Sequence, residues 1–456
     1  MIAVDPSRPD APANPVDSLG RKNRLMQTTK ARLALALIVL GLGMGGPALA
    51  QKVGELPSAI ELPNAIDLPD LLRIVREVSP RLALERQNIA SAQADRIIAG
   101  AYPNPNLSFG TAHQGARQTS FDGPRQNEFR IDQPVLLPGQ RGARIEKVDR
   151  EIQAARARVA AGSSSLAGEA ALGYIGLLEA QEKTTLQTNA VRELTRLRDI
   201  VAGRADVGMA SRYDLTRLEV ELASARTKLE ESKAELLDRS GALASLLGLR
   251  GWQPKATQTY APLKMDFKAL VNLTTLIERA NASPAVQLAT AEERVAQSGV
   301  ALADRERWPV PVLNLGRSWS TTPFGAANAM GLSVEVPILD DRRGPVVKAQ
   351  VEAKRASLQR ELSLAEVAAT LQRQALVIAA RQAALERFEA DAAARLASLK
   401  EMAENAYRLG KGTIFELLDS ARSREELLGK RIELVATLLE AQILFLSASG
   451  ELAAAP

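Results

Sequence analysis

The chain has 456 residues, 46% hydrophobic but only 4% aromatic, with 24% charged residues and a formal net charge of +5. That composition suits long helices packed side by side better than a conventional two-layer globule. With no cysteine and a single histidine, His113, it excludes a disulfide framework, a lipid-modified cysteine, a thiolate or histidine metal cluster and a Ser-His-Asp triad.

Lys30 and Arg32 precede an apolar run from Leu33 to Leu42, and Pro47-Ala48-Leu49-Ala50 follows. A charged start, an apolar stretch of signal length and an Ala-x-Ala site predict a signal peptide cleaved after Ala50. The run is too short for a membrane-spanning helix. Residues 1–25 read as an upstream extension, with the start open between Met1 and Met26. The first 50 residues carry six basic and three acidic side chains, so 52 against 50 remain and the net charge falls to about +2. Such a balance gives no support for nucleic-acid binding.

The rest reads as two structural repeats, 51–250 and 251–456. After a linker punctuated by Pro57, Pro63 and Pro69, the first repeat opens with a short helix over 70–78. A second helix runs from Ser79-Pro80 to Gly100 and is stopped by Tyr102-Pro103-Asn104-Pro105. The same order recurs as a helix over 267–282, Ser283-Pro284, a helix to Arg307 and then Trp308-Pro309-Val310-Pro311, the copies staying 202 to 206 residues apart. Strand pairs follow near 106–134 and 312–337. In the first, Leu107 and Phe109, then Phe129 and Ile131, alternate with polar or small residues. In the second, Leu313, Leu315 and Trp319, then Met330, Leu332, Val334 and Val336, do the same. Period two gives each strand one apolar and one polar face.

Residues 141–205 and 346–409 contain no proline and predict two helices of roughly 65 residues, on the order of 100 Å each. Both end at a glycine corner, Val207-Gly208-Met209 and Tyr407-Arg408-Leu409-Gly410. Ser211-x-x-Asp214 and Thr413-x-x-Glu416 then read as capping boxes opening shorter helices. Apolar residues at three-four spacing, from Leu215, Leu218, Leu222 and Ala225 to Leu243 and Leu246, predict coiled-coil packing. The second copy repeats this less strictly at Leu417, Ala421, Leu428, Val435, Leu438 and Phe445. Four strands cannot form a transmembrane barrel by themselves, and open edges cannot sit in lipid. Either several copies close one barrel, or the strands form a small soluble hairpin layer capping a coiled coil.

This plan resembles the TolC-type outer-membrane efflux channels, the corners being the most specific part. Pro103-Asn104-Pro105-Asn106-Leu107 and the run from Gln133 to Arg141 (QPVLLPGQR) resemble in particular the cobalt–zinc–cadmium efflux branch. The resemblance implies a mainly α fold with a small β part. Long antiparallel coiled-coil helices would form a periplasmic α-barrel, and each chain of a homotrimer would give four strands to a 12-stranded barrel in outer-membrane lipid. It also implies a periplasmic adaptor (a membrane fusion protein) and an inner-membrane pump of the RND type as partners. No cofactor, metal site, enzymatic activity or nucleic-acid partner is implied. By matching position, Val207, Gly208, Met209, Leu409 and Gly410 would form the adaptor-docking tip. Asp214, Tyr407, Glu416 and Asp419 would form the entrance gate or pore ring, repeated by symmetry as charge that favours cations. Asp214 and Glu416 are also explained by capping alone, whereas Asp419 is not. Where the family often carries a latch arginine, this chain has Gly412.

The function expected is a passive outer-membrane exit duct of a tripartite efflux system for heavy-metal cations. A duct of the same architecture for drugs, solvents or polypeptides is the alternative within transport. A periplasmic coiled-coil adaptor or scaffold is the alternative outside it.

Overall fold

The computed structural model describes residues 63–113, 125–265, 272–320 and 325–454, all within the unit Leu62–Pro456. The predicted extension, signal peptide and first part of the proline-punctuated linker lie outside the described residues.

Two proline-led helices open the chain. Asp67 accepts from Asp70 N at 2.8 Å and caps α1 (Leu68–Val78), whose Leu71, Leu72, Ile74 and Val75 are buried. Pro80 then sits at N1 of α2 (Pro80–Gly100), where its missing N–H costs nothing. The short strand β1 (Ala65–Ile66) ahead of them pairs in parallel with β4 (Lys255–Ala256), so the segment before α1 is stitched to the one after the first repeat. Tyr174 donates to Ile66 O at 3.1 Å and Trp252 to Pro63 O at 3.1 Å, which closes this belt.

The four long strands are β2 (Asn106–His113), β3 (Arg125–Pro134), β5 (Val312–Ser320) and β6 (Ala326–Ser333). They form one antiparallel sheet in the order β2-β3-β5-β6. The register sets Leu107 opposite Ile131, Ile131 opposite Leu315, and Leu315 opposite Met330. One face is therefore a continuous apolar row, most of it exposed in this chain. The other face carries Ser108, Arg130, Asp132, Asn314 and Ser318, with Asn314 donating to Asp132 at 2.7 Å. The expected continuation of β6 to Val336 does not occur. The ladder ends where Ser333 pairs with Val312, because Pro309 and Pro311 precede β5 and have no N–H to offer.

After β3, helix α3 (Gln140–Asp206) runs unbroken for 67 residues. It returns as α4 (Arg212–Leu247), 36 residues long. In the second half, Asn272 caps α5 (Leu273–Ala282), and the first part of the helix expected over 267–282 lies outside the described residues. Pro284 opens α6 (Pro284–Glu306). The second long helix corrects the sequence reading. It is broken into α7 (Arg343–Phe388), a π turn over Glu389–Ala393, and α8 (Ala394–Arg408). A π turn adds one residue to a helical turn and needs neither proline nor glycine, so it left no breaker to read. Arg431 holds it from outside, donating twice to Glu389 at 3.2 and 3.0 Å. The return helix α9 (Ile414–Ser449) again has 36 residues, and α10 (Glu451–Ala454) follows.

The helices flanking the sheet stand in one row: α2 packs on α3, α3 on α6, and α6 on α7. The main core gathers Leu177, Leu243, Leu371, Ile378, Leu438 and Phe445 from α3, α4, α7 and α9. By length and composition α9 could cross a membrane, but Val435, Leu438, Ala441 and Phe445 on it are spent on this core.

Candidate functional site at the paired helix corners

Both corners are built the same way. Gly208 (φ +70°) and Gly410 (φ +73°) take the left-handed conformation that ends a helix. Met209 N donates to Arg204 O at 2.8 Å, and Lys411 N to Ala406 O at 2.9 Å, each reaching back five residues over the last turn. Ser211 and Thr413 then cap α4 and α9. Their hydroxyls accept from Asp214 N and Glu416 N at 3.1 and 3.3 Å. The two carboxylates accept in return from Ser211 N and Thr413 N at 3.4 and 2.9 Å, completing both capping boxes. At Gly412 a side chain would be tightly placed. A Cβ there would stand 3.1 Å from Ala406 Cβ and 3.3 Å from Glu416 Oε2, so the turn favours glycine at this position.

Far apart in sequence, the corners share one apolar cluster. Leu194, Leu197 and Val201 of α3, Leu218 and Leu222 of α4, and Tyr407, Ile414, Leu417 and Leu418 of the second corner are buried together. Arg204, in the last turn of α3, ties them with hydrogen bonds to the carbonyls of Tyr407 and of Arg408, the latter at 3.0 Å. Its guanidinium also lies 5.0 Å from the Tyr407 ring centroid. A cation on the exposed carbonyls of a helix end offsets that end's negative dipole, so Arg204 is the C-cap of α8 supplied by α3. Burial pushes the Tyr407 hydroxyl pKa above its ordinary value, with the Asp214 charge adding and Arg204 opposing.

Behind the cluster runs a belt of ion pairs joining the two hairpins. Glu193 of α3 pairs with Arg424 of α9 and with Lys400 of α8 at 3.7 Å. Arg196 pairs with Glu404. Glu221 accepts from Arg422 Nε at 2.8 Å, and Lys228 meets Glu425 at 3.0 Å. A cleft of about 180 Å³ lies among these groups and Leu186, Leu194 and Leu418. The hydrogen bond from Arg422 holds the Glu221 carboxyl below the usual carboxylate range, and burial lowers the Arg424 pKa.

The structure thus brings all the sequence-selected positions to one end of the hairpins. Val207, Gly208, Met209, Leu409 and Gly410 are exposed at the tip, and Tyr213 and Phe415 beside them are exposed too. Asp214 and Glu416 are engaged as caps, Asp419 is exposed one turn further on, and Tyr407 is buried within its own chain. Arg204 and the ion-pair belt escaped the sequence reading. A basic residue in the last turn of a helix was the available signal for Arg204; for the belt, the partners lie too far apart in sequence. Among the described residues no group of His, Cys, Asp and Glu could hold a metal ion.

Residues 71–249 match the outer membrane efflux protein family. The match covers 179 of the 456 residues. Among curated proteins the chain is similar to the nickel-cobalt-cadmium resistance protein NccC of Alcaligenes xylosoxydans xylosoxydans, 26% identical over 60% of this chain. That alignment spans 62% of the relative, just under two thirds of its length. It is also similar to the nickel and cobalt resistance protein CnrC of Cupriavidus metallidurans, 26% identical over 68% of this chain and 72% of the relative. Among solved structures, the fold is that of CusC, with a TM-score of 0.70 at 15% identity over 84% of this chain and 92% of that one. The outer membrane protein VceC of Vibrio cholerae gives 0.67 at 17% identity, over 84% and 96%.

Proposed function

We propose that this chain is an outer membrane efflux protein that performs no chemistry itself, the passive exit duct of a tripartite efflux system, working as a homotrimer with a periplasmic adaptor and an RND-type pump. The observation that carries this reading is the sheet. Its outer strands β2 and β6 each keep one unpaired edge, and its apolar face is turned out of the protein. A sheet in that state needs further strands to enter lipid, and three copies supply twelve, enough for a closed barrel. The near-equal spacing of matching elements supports two structural repeats, 51–250 and 251–456, arranged so that each copy gives two arms to a tunnel.

In this reading the corners are the inner mouth. Val207, Met209 and Leu409 around Gly208 and Gly410 form an exposed apolar tip, the surface an adaptor would grip. Asp419 is the acid no cap accounts for and the one assigned to a pore ring; Asp214 and Glu416 serve the turn first, and Tyr407 lines the closed packing behind it. The resistance relatives favour heavy-metal cations as the exported class, whereas a drug, solvent or polypeptide duct and a periplasmic scaffold remain the readings to be beaten. The test is reconstitution of the full chain, as exported, into planar bilayers. Trimers conducting ions with a preference for cations are expected; a monomer that inserts nowhere refutes the duct.

A further inference from the structure

We infer that the exposed stripe of α7 is covered by α2 of a second copy, in a register set by the chain's own α3–α6 contact. This rests on the trimer reading and adds which residues meet. Within the chain, α3 and α6 run side by side in opposite directions. Arg144 pairs with Glu306 at 3.0 Å, and 14 residues further along α3, Arg158 pairs with Glu292, 14 residues back along α6, at 2.6 Å. Those two rungs put Val148 level with Leu302 and Ala155 level with Val295. Val148 and Ala155 are buried, 9% and 7% exposed.

The second half repeats the α3 geometry without its cover. Pro134 and Pro337, the left-handed Gly139 and Arg342, and the helix starts Gln140 and Arg343 each stand 203 residues apart. The same step carries Val148 to Val351 and Ala155 to Leu358, which are 62% and 52% exposed. They line a shallow groove on α7 with Lys354, Arg355, Gln359 and Leu362. The counterpart of α6 is α2, since Pro80 and Pro284 open the two helices 204 residues apart. In its own chain α2 packs on α3 and leaves Leu84, Ile97 and Ile98 bare.

The row α2-α3-α6-α7 has α2 and α7 at its two ends, as β2 and β6 end the sheet. Joining copies edge to edge sets α7 of one beside α2 of the next. Carrying the rungs across sets Val351 against Ile98 and Leu358 against Ser91. The second pair exchanges large for small relative to Ala155 and Val295, so the summed side-chain volume stays close to that of the internal contact. The same register brings Arg355 to within one residue of Asp95, both exposed.

The cysteine-free chain allows a direct test by paired substitution and mild oxidation in membranes. V351C with I98C, and L358C with S91C, should each give covalent dimers and trimers on a non-reducing gel, because disulfides form only when Cα atoms lie within about 7 Å. V351C with L84C should not, Leu84 lying about 21 Å along the helix from Ile98. Trimers of native mass that fail to cross-link through Ile98, or that cross-link equally through Leu84, overturn the register while leaving the trimer. An unsubstituted chain that is monomeric in membranes overturns both.

Discussion

At the scale of single residues, the corner separates groups that make the turn from groups left over for transport. Gly208 meets nothing within 4 Å of an added Cβ, so Gly208→Ala costs only its left-handed backbone, about 1 kcal/mol. Asp214→Ala and Glu416→Ala remove capping partners and should also cost about 1 kcal/mol each. All three losses are read from chemical unfolding of the solubilised protein. Asp419→Ala touches no cap and should leave stability unchanged while weakening cation preference, measured as a smaller reversal potential across a salt gradient. An unchanged reversal potential would return Asp419 to the ordinary helix surface. The Tyr407 ring is enclosed by Arg204 and the apolar cluster shared by the two corners, a packing that supports a part in holding the turn.

Among elements, the contact between the two hairpins is the part whose strength depends on charge. Glu193 and Arg424 are 12% and 20% exposed, between a surface pair and a fully buried one. Glu193→Ala should therefore cost about 2 kcal/mol, more than an exposed pair is worth and less than a desolvated one. Acid acts on the same contact through Glu221. Its folded pKa is depressed by Arg422, so its stabilising effect is fully present above the ordinary glutamate value of about 4.3. That effect fades as pH falls through the lower folded value. Melting temperatures of the native chain and of Glu221→Gln should thus differ at neutral pH and converge in acid. Parallel curves throughout would assign the acid response to other groups. These contacts also show where sequence reading stops. Helix starts at Pro80 and Pro284, both capping boxes and the strand alternation are local and were legible. Arg204 on the Tyr407 and Arg408 carbonyls joins residues about 200 apart, and the π turn at Glu389 changes helical phase without a breaker residue, so neither leaves a local pattern.

For the whole molecule, the proposed duct raises the question of what a channel can select when its described residues hold no metal-ligating cluster. A passive channel needs none; tight binding inside a pore would slow exit. On the proposed function, substrate choice would belong to the pump and adaptor, with the channel contributing fit at the tip and a charge bias at its mouth. The two resistance relatives are named for nickel, cobalt and cadmium, so on the proposed function those are the cations to test. Deleting the gene should consequently lower the tolerated concentration of those metals and leave tolerance to common drugs unchanged. A channel variant with a polar tip, Met209→Asp with Leu409→Asp, should reproduce the deletion in cells yet conduct normally in bilayers. That pairing isolates docking from permeation: if the tip variant conducts normally and also protects cells, the exposed apolar corner is not where the pump assembly is held. Drug sensitivity with normal metal tolerance would keep the duct and transfer it to another class of cargo.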